Sequence, residues 1–239
     1  MRNHLAIDIW CWPLCLPEQD IERALNILSS DELERARRFH FDRHRHRYIA
    51  GRGQMRHILA SYVHTLPGKL HFVYNRSGKP FLDRDRHSPA PHFNLSHSHD
   101  LACLAVSSAC QPGIDIEQIR PIEPELSRYF FSHREHSALN RLQGDKRLQA
   151  FYRLWTLKEA FVKAHGAGLS IPPEQIDLQF GSPQFPCLSP SFAQEDEQAA
   201  WQFLSFTPKP GFAGALATNS QGRPLSLRRR MLNELSQPV

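Results

Sequence analysis

The segment Arg153-Leu-Trp-Thr-Leu-Lys-Glu-Ala-Phe-Val-Lys163 restricts the fold more than any other part of the chain. Phe151, Leu154, Trp155, Phe161 and Val162 recur at spacings of three and four, the period of a helix packed along one side. That pattern predicts a helix over 146–165, stopped by Gly166 and Gly168. Residues four apart share a helix face, so Trp155, Glu159 and Lys163 form a column. Upstream, Gly113-Ile-Asp-Ile-Glu117 reads as a strand. Its period of two sends Asp115 and Glu117 to one side and Ile116 to the core, while Gly113 permits close approach of a neighbour. Brought together, the two segments make an oxygen-lined cation site from Asp115, Glu117 and Glu159 with a lysine beside it. Without His or Cys, such a set suits Mg²⁺ rather than zinc. Taken alone, a solvated strand face would read the same way.

The rest of the chain supplies a frame of mixed type. Leu5–Trp10 reads as an opening strand, closed by Pro13 and Pro17. Ile21–Leu28 is amphipathic, and Ser29-Ser-Asp31 offers N-cap chemistry for a helix to about Phe39. A long helix follows over 43–63, whose polar face carries Arg43, His44, Arg45, Arg47, Arg52 and Arg56. Leu70–Tyr74 is a strand, Asn75–Pro80 a tight turn, and 83–91 a polar loop. Asn94–His99 then forms a loop before the buried strand Leu101–Val106. Beyond a boundary near residue 110, helices are expected over 124–131 and 133–142, and strands over 176–180, 201–207 and 212–217. Residues 181–198 read as loop, and the tail with Arg228–Arg230 as a short helix or frayed end. The expected fold class is α+β, with an N-terminal half at 1–110 and a C-terminal half at 111–239 that carries the acids.

Charge and cysteine usage narrow the partners. A formal charge of +5 favours anions, be they nucleic acid, phosphorylated cofactors or acidic proteins. No apolar run approaches the roughly 20 residues that cross a bilayer, and the N-terminus has no secretory pattern. The five cysteines include no C-x-x-C pair and read as free thiols, most of them buried, in a reducing cytoplasm.

Further polar groups stand where they can meet phosphate. Ser96 and His97 lie in Asn94–His99, Lys79 in the Ser77–Pro80 turn, and Arg47 on the basic helix. His97-x-His99 is a weak metal signal without a third ligand. Glycine-rich phosphate loops and the G-x-S-x-G motif are absent from the sequence.

In order along the chain, Arg37-Arg-Phe39 with His46-Arg47, Gly78-Lys-Pro80, Phe93-Asn-Leu-Ser-His-Ser98, Gly113–Glu117 and Trp155–Lys163 resemble the Sfp-type 4′-phosphopantetheinyl transferases. Glu159 follows Asp115 by 44 residues, close to the spacing of that family's two-part signature. The resemblance covers roughly residues 25–170. It implies two similar α/β halves related by pseudo-twofold symmetry, with the active site in the cleft between them. It implies coenzyme A as donor, Mg²⁺ as the ion and the serine of an apo acyl or peptidyl carrier protein as acceptor, with 3′,5′-adenosine bisphosphate released. On that pattern Asp115, Glu117 and Glu159 hold the metal. Arg47, Lys79, Ser96 and His97 hold the 3′-phosphate and adenosine end. Lys163, with Lys158 as second candidate, meets the pyrophosphate, and Glu159, directly or through water on the ion, is the base. A cytoplasmic monomer without nucleic-acid or membrane partners is implied. One departure is Glu32, where relatives often carry a base; Arg35 is the substitute. The rival readings are a nucleic-acid module built on the helix 43–56, and a degenerate transferase acting as a scaffold.

Overall fold

The computed structural model describes residues 4–76, 78–166, 171–182 and 185–235. The first half opens with β1 (Leu5–Pro13) and continues with α1 (Glu18–Leu25), α2 (Ser30–Arg37) and α3 (Asp42–Tyr62). It then runs through the hairpin β2 (Phe72–Tyr74) and β3 (Pro80–Leu82) to β4 (His92–Ser98) and β5 (Leu101–Ser107). The second half comprises β6 (Pro112–Gln118), α4 (Ser127–Phe130), α5 (His133–Asn140) and α6 (Gly144–His165). After these come the hairpin β7 (Leu178–Ser182) and β8 (Phe185–Leu188), α7 (Glu195–Ala200), β9 (Trp201–Phe206), β10 (Phe212–Asn219) and β11 (Leu225–Arg230). The fold is α+β, as expected. Gly168 and Ser77 fall outside the described residues.

Two sheets organise the molecule, in strand orders β11-β1-β5-β4 and β6-β10-β9. Period-two alternation divides β1 and β5 of the first sheet between two cores. Trp10 and Trp12 of β1, with Ala102, Leu104 and Val106 of β5, face the helical side and pack with Ile49, Met55, Ile58 and Leu59 of α3. Leu5, Ile7, Ile9, Leu101, Cys103 and Ala105 face the other way, against Ile114 and Ile116 of β6 and Leu216 of β10. The halves therefore share a continuous apolar layer. A third core gathers Leu157 and Phe161 of α6 with Trp201 and Phe203 of β9.

Helix α6 is buried on more than one side, including Tyr152, Thr156, Leu157, Lys158 and Ala160, which corrects the expectation of a one-sided helix. It occupies the centre of the second half, where neighbours on several sides override a surface-helix reading. Gly166 ends it at φ +80°, as the pattern predicts.

Four other expectations are corrected. Asn94–Ser98 belongs to strand β4, not to a loop; its polar alternation hid a strand whose polar side makes specific bonds. The tail over 225–230 is a strand parallel to β1, a pairing that local periodicity cannot reveal. Within 181–198, β8 and α7 occur. Cys11 and Cys103, opposite each other on antiparallel β1 and β5, form a disulfide rather than free thiols, because the register sets their side chains adjacent.

Candidate active site

Strand β6 meets β4 through side chains that take the place of a backbone ladder. Asn94 Oδ1 accepts from the Ile114 amide at 2.8 Å, Ser96 Oγ from Ile116 at 3.3 Å and Ser98 Oγ from Gln118 at 3.1 Å. Each pair lies 20 residues apart, so the period of β4 matches the period of β6. This seam fixes the register of the two sheets at the place where the acids emerge.

Asp115 and Glu117 point toward α6, on the side opposite Ile114 and Ile116. Across the β6–β10 ladder their partners are Ala215 and Ala213, whose small side chains leave room for the carboxylates. Gly113, on the same side, is the point of closest approach to α6: a Cβ there would overlap the Ala160 carbonyl oxygen and the Ala164 amide. That contact draws the face bearing Glu159 and Lys163 against β6.

The column read from α6 thus meets the two strand acids. Lys163 Nζ donates to Asp115 Oδ1 at 2.6 Å and to Ser96 Oγ at 3.1 Å. Ser96 Oγ in turn donates to Asp115 Oδ1 at 2.9 Å. Asp115 is buried, and its Oδ2 has no hydrogen-bond partner among the described residues. Ser98 Oγ donates to Glu117 Oε2 at 2.6 Å. Burial holds the Glu117 carboxyl above the ordinary range, opposed by the Ser98 hydrogen bond and reinforced by the Asp115 charge. Burial also raises Glu159, followed by the charge of Asp115. The three carboxylates therefore sense one another. Among the described residues they do not already close into a three-ligand cluster.

Lys163 lines a cleft of about 550 Å³ between α3, β4 and the end of α6. Its wall includes Arg35, Arg47, Tyr48, Lys79, His97 and Lys163, and among the described residues no carboxylate lines it. Arg47 Nε is buried there without a hydrogen-bond partner among the described residues. Lys79 Nζ donates to the Lys163 carbonyl at 2.6 Å, tying the β2–β3 turn to the C-terminal turn of α6. Desolvation and, secondarily, the Lys163 charge bring its ammonium down to about 8. His97 projects into the cleft from the helical side of β4; desolvation by the walls and the Lys163 charge hold its imidazole below the ordinary value. A cleft of this charge is built for an anion.

Most of the residues singled out from the sequence thus come together. Arg47, Lys79, His97 and Lys163 line the cleft, and Asp115, Glu117 and Glu159 group beside Lys163. Ser96 is buried in the seam beside Asp115 and Lys163 rather than lining the cleft. Lys158 is elsewhere. Its buried ammonium is paired with Glu135 at 2.5 Å and donates to the carbonyls of Phe130 and Pro173. Arg52 and Arg56 are not part of a solvated basic face, since both close on the buried carboxylate of Glu32. Sequence reasoning missed Asn94 and Ser98 in the seam. The signal was present, because both alternate with Ser96.

Two family models match consecutive parts of the chain. The 4′-phosphopantetheinyl transferase superfamily model matches residues 111–218, and that of the 4′-phosphopantetheinyl transferase N-terminal region matches 16–109. The protein is a member of the 4′-phosphopantetheinyl transferase superfamily. Among similar transferases, HetI of Nostoc sp. is 38% identical over 219 residues, covering 90% of this chain and 89% of HetI. Sfp of Bacillus subtilis is 33% identical over 165 residues, covering 69% of this chain and 71% of Sfp. Among solved structures, the holo-[acyl-carrier-protein] synthase of Thermotoga maritima matches at a TM-score of 0.37 and 20% identity, over 45% of this chain and 61% of that one. This likeness is too distant to bear on the site. As a 4′-phosphopantetheinyl transferase the chain is an enzyme, and among the described residues no helix is long and apolar enough to cross a membrane.

Proposed function

We propose that this transferase moves the 4′-phosphopantetheine group of coenzyme A onto a serine of an apo carrier protein in the presence of Mg²⁺, releasing 3′,5′-adenosine bisphosphate. The observation that carries the reading is the cationic cleft, free of carboxylates among the described residues, whose wall residue Lys163 pairs with Asp115. A doubly phosphorylated nucleotide end matches that charge. Arg47, Lys79 and His97 would hold the 3′-phosphate and adenosine, with Arg35 at the wall, and Lys163 would meet the pyrophosphate. Ser96 would act by orienting Asp115 and Lys163, and Lys158 has no part because it is committed to Glu135.

Asp115, Glu117 and Glu159 would hold Mg²⁺. The orphaned Oδ2 of Asp115 and the mutual repulsion of the three carboxylates fit a hard cation that keeps several waters. When bound, the ion neutralises charge on the pyrophosphate oxygens. The carrier serine oxygen forms the new bond to the β-phosphorus, and the bond from that phosphorus to the bridging oxygen of the leaving bisphosphate breaks. Glu159, its carboxyl raised by burial, takes the serine proton, while Lys163 offsets charge on the leaving phosphate.

The acceptor would be an acyl or peptidyl carrier of fatty-acid, polyketide or non-ribosomal peptide synthesis, met by a monomer in the cytoplasm. The nucleic-acid reading loses its main support, because Arg52 and Arg56 are engaged by Glu32. Intact-mass spectrometry of apo carriers incubated with the protein, coenzyme A and Mg²⁺ tests the proposal. A phosphopantetheine mass gain that EDTA abolishes is the expected result. No gain on a panel spanning all three carrier classes would overturn it.

A further inference from the structure

The seam between the sheets contains one structural unit twice. In the first copy Ser96 Oγ accepts the Ile116 amide and donates to Asp115. In the second, two residues further along both strands, Ser98 Oγ accepts the Gln118 amide at 3.1 Å and donates to Glu117 Oε2 at 2.6 Å. In both, the hydroxyl receives the amide that follows the acid and gives its own proton to the acid. A hydroxyl has a single proton, so accepting the amide directs that proton to the carboxylate.

We propose that Ser98 is a positioning residue for the metal-holding carboxylate of Glu117, the counterpart of Ser96 for Asp115. This inference rests on the reading of Asp115, Glu117 and Glu159 as the ion's holders. A glutamate has one more rotatable bond than an aspartate, and among the described residues Glu117 makes no lysine ion pair like the one that fixes Asp115. The Ser98 hydroxyl ties one carboxylate oxygen to a point on the first half of the chain and leaves the other oxygen for the cation. Partners of this kind set the orientation of a metal-holding group without touching the metal. Because Ser98 lies on the seam side of β4, whereas His97 faces the cleft, its loss should affect the ion and spare the nucleotide.

The test compares wild type, Ser98→Ala and Ser98→Thr as full chains. Mn²⁺ binding in the presence of 3′,5′-adenosine bisphosphate is read from the electron paramagnetic resonance of the free ion. Bisphosphate binding in EDTA is read by calorimetry. Ser98→Ala should weaken Mn²⁺ about tenfold or more, leave bisphosphate binding in EDTA unchanged, and be rescued by Ser98→Thr, which retains the hydroxyl. Ser98→Cys, close in size but a poor donor, carries the same expectation if the alanine variant does not fold. Wild-type Mn²⁺ affinity in a folded variant without the hydroxyl overturns the proposal. So does an equal loss of bisphosphate binding in EDTA, which would mean that Ser98 only holds the seam. Asp115→Asn separates the two levels. Weakened Mn²⁺ binding there beside intact binding in Ser98→Ala rejects Ser98 alone, whereas intact binding in both rejects the metal reading as well.

Discussion

Lys79 is a cation of the cleft whose charge depends on working pH. Desolvation and the neighbouring Lys163 bring it to about 8, so it is charged below that pH and neutral above it. A bound phosphate favours the charged form, so the proton binds more tightly in the complex than in the free protein. Affinity for 3′,5′-adenosine bisphosphate should therefore be level below about pH 8 and fall above it, by up to about tenfold per pH unit. Calorimetry across that range checks the slope, and Lys79→Arg should remove it because guanidinium stays charged. Glu159 answers to a different measurement. Glu159→Gln keeps the shape and hydrogen-bonding capacity of a half-buried side chain, so melting should change little while transfer to carrier falls by about 10² or more. Near-normal turnover in that variant would take Glu159 out of the mechanism. The sequence singles out Glu159 by its place in the α6 column and Lys79 by its turn and the family resemblance. The second hydrogen bond that commits Ser96, and the pairing that removes Lys158, were not legible there, since each depends on a partner distant in sequence.

The elements that matter most are those whose backbones touch. β6 and α6 pack at Gly113, where a methyl group would strike the Ala160 carbonyl oxygen and the Ala164 amide. Gly113→Ala should cost about 1–3 kcal/mol or more by overpacking. It should also reduce transfer beyond what the stability loss explains, because α6 carries Glu159 and Lys163 away from Asp115. Chemical denaturation and turnover of the folded fraction measure the two effects separately. In the first half, α2 is fastened to α3 through Glu32. Its carboxylate accepts the Ser29 amide in a capping box and pairs with Arg52 and Arg56. Glu32→Ala leaves two buried guanidinium groups facing each other and should destabilise the protein by about 3–5 kcal/mol. Bisphosphate affinity of the folded protein should not fall with it, because Glu32 does not line the cleft and its loss frees the charge of Arg52, which does. The sequence marked Glu32 as a departure at a ligand-contacting place. The structure makes it a fastener, and a one-dimensional pattern cannot distinguish an acid facing a ligand from one facing two arginines.

At the scale of the whole molecule, the order of the chain and the order of the sheets differ. β11, from the end of the second half, completes the first half's sheet beside β1, and Arg228 Nε donates to the buried Asp8 at 2.6 Å. A chain truncated after Gly222 loses that strand. It exposes the edge of β1 and leaves Asp8 with the Tyr62 hydroxyl alone among those two partners. Such a protein should melt at a lower temperature and elute from size exclusion as concentration-dependent aggregates. Full-length-like melting would show that β11 is dispensable. The same arrangement makes the halves interdependent, because Leu5, Ile7, Ile9, Ile114, Ile116 and Leu216 share one apolar layer.

The sequence by itself determined the α+β class and the main helices, and it singled out the acids and the lysine of the candidate site. These follow from local physics: the periods of two and 3.6, the turn and cap residues, and the chemistry of acids beside a lysine. It also determined the family, through motifs whose spacing is preserved along the chain. Tertiary structure alone decided which of these groups meet. It placed Lys163 on Asp115, sent Lys158 to Glu135, joined Cys11 to Cys103 and turned the tail into a strand. It also set the Asn94–Ser96–Ser98 comb against the amides of β6. Each of these depends on which sheet edge or helix face lies opposite, and that is settled by packing between segments remote in sequence, where local periodicity carries no information.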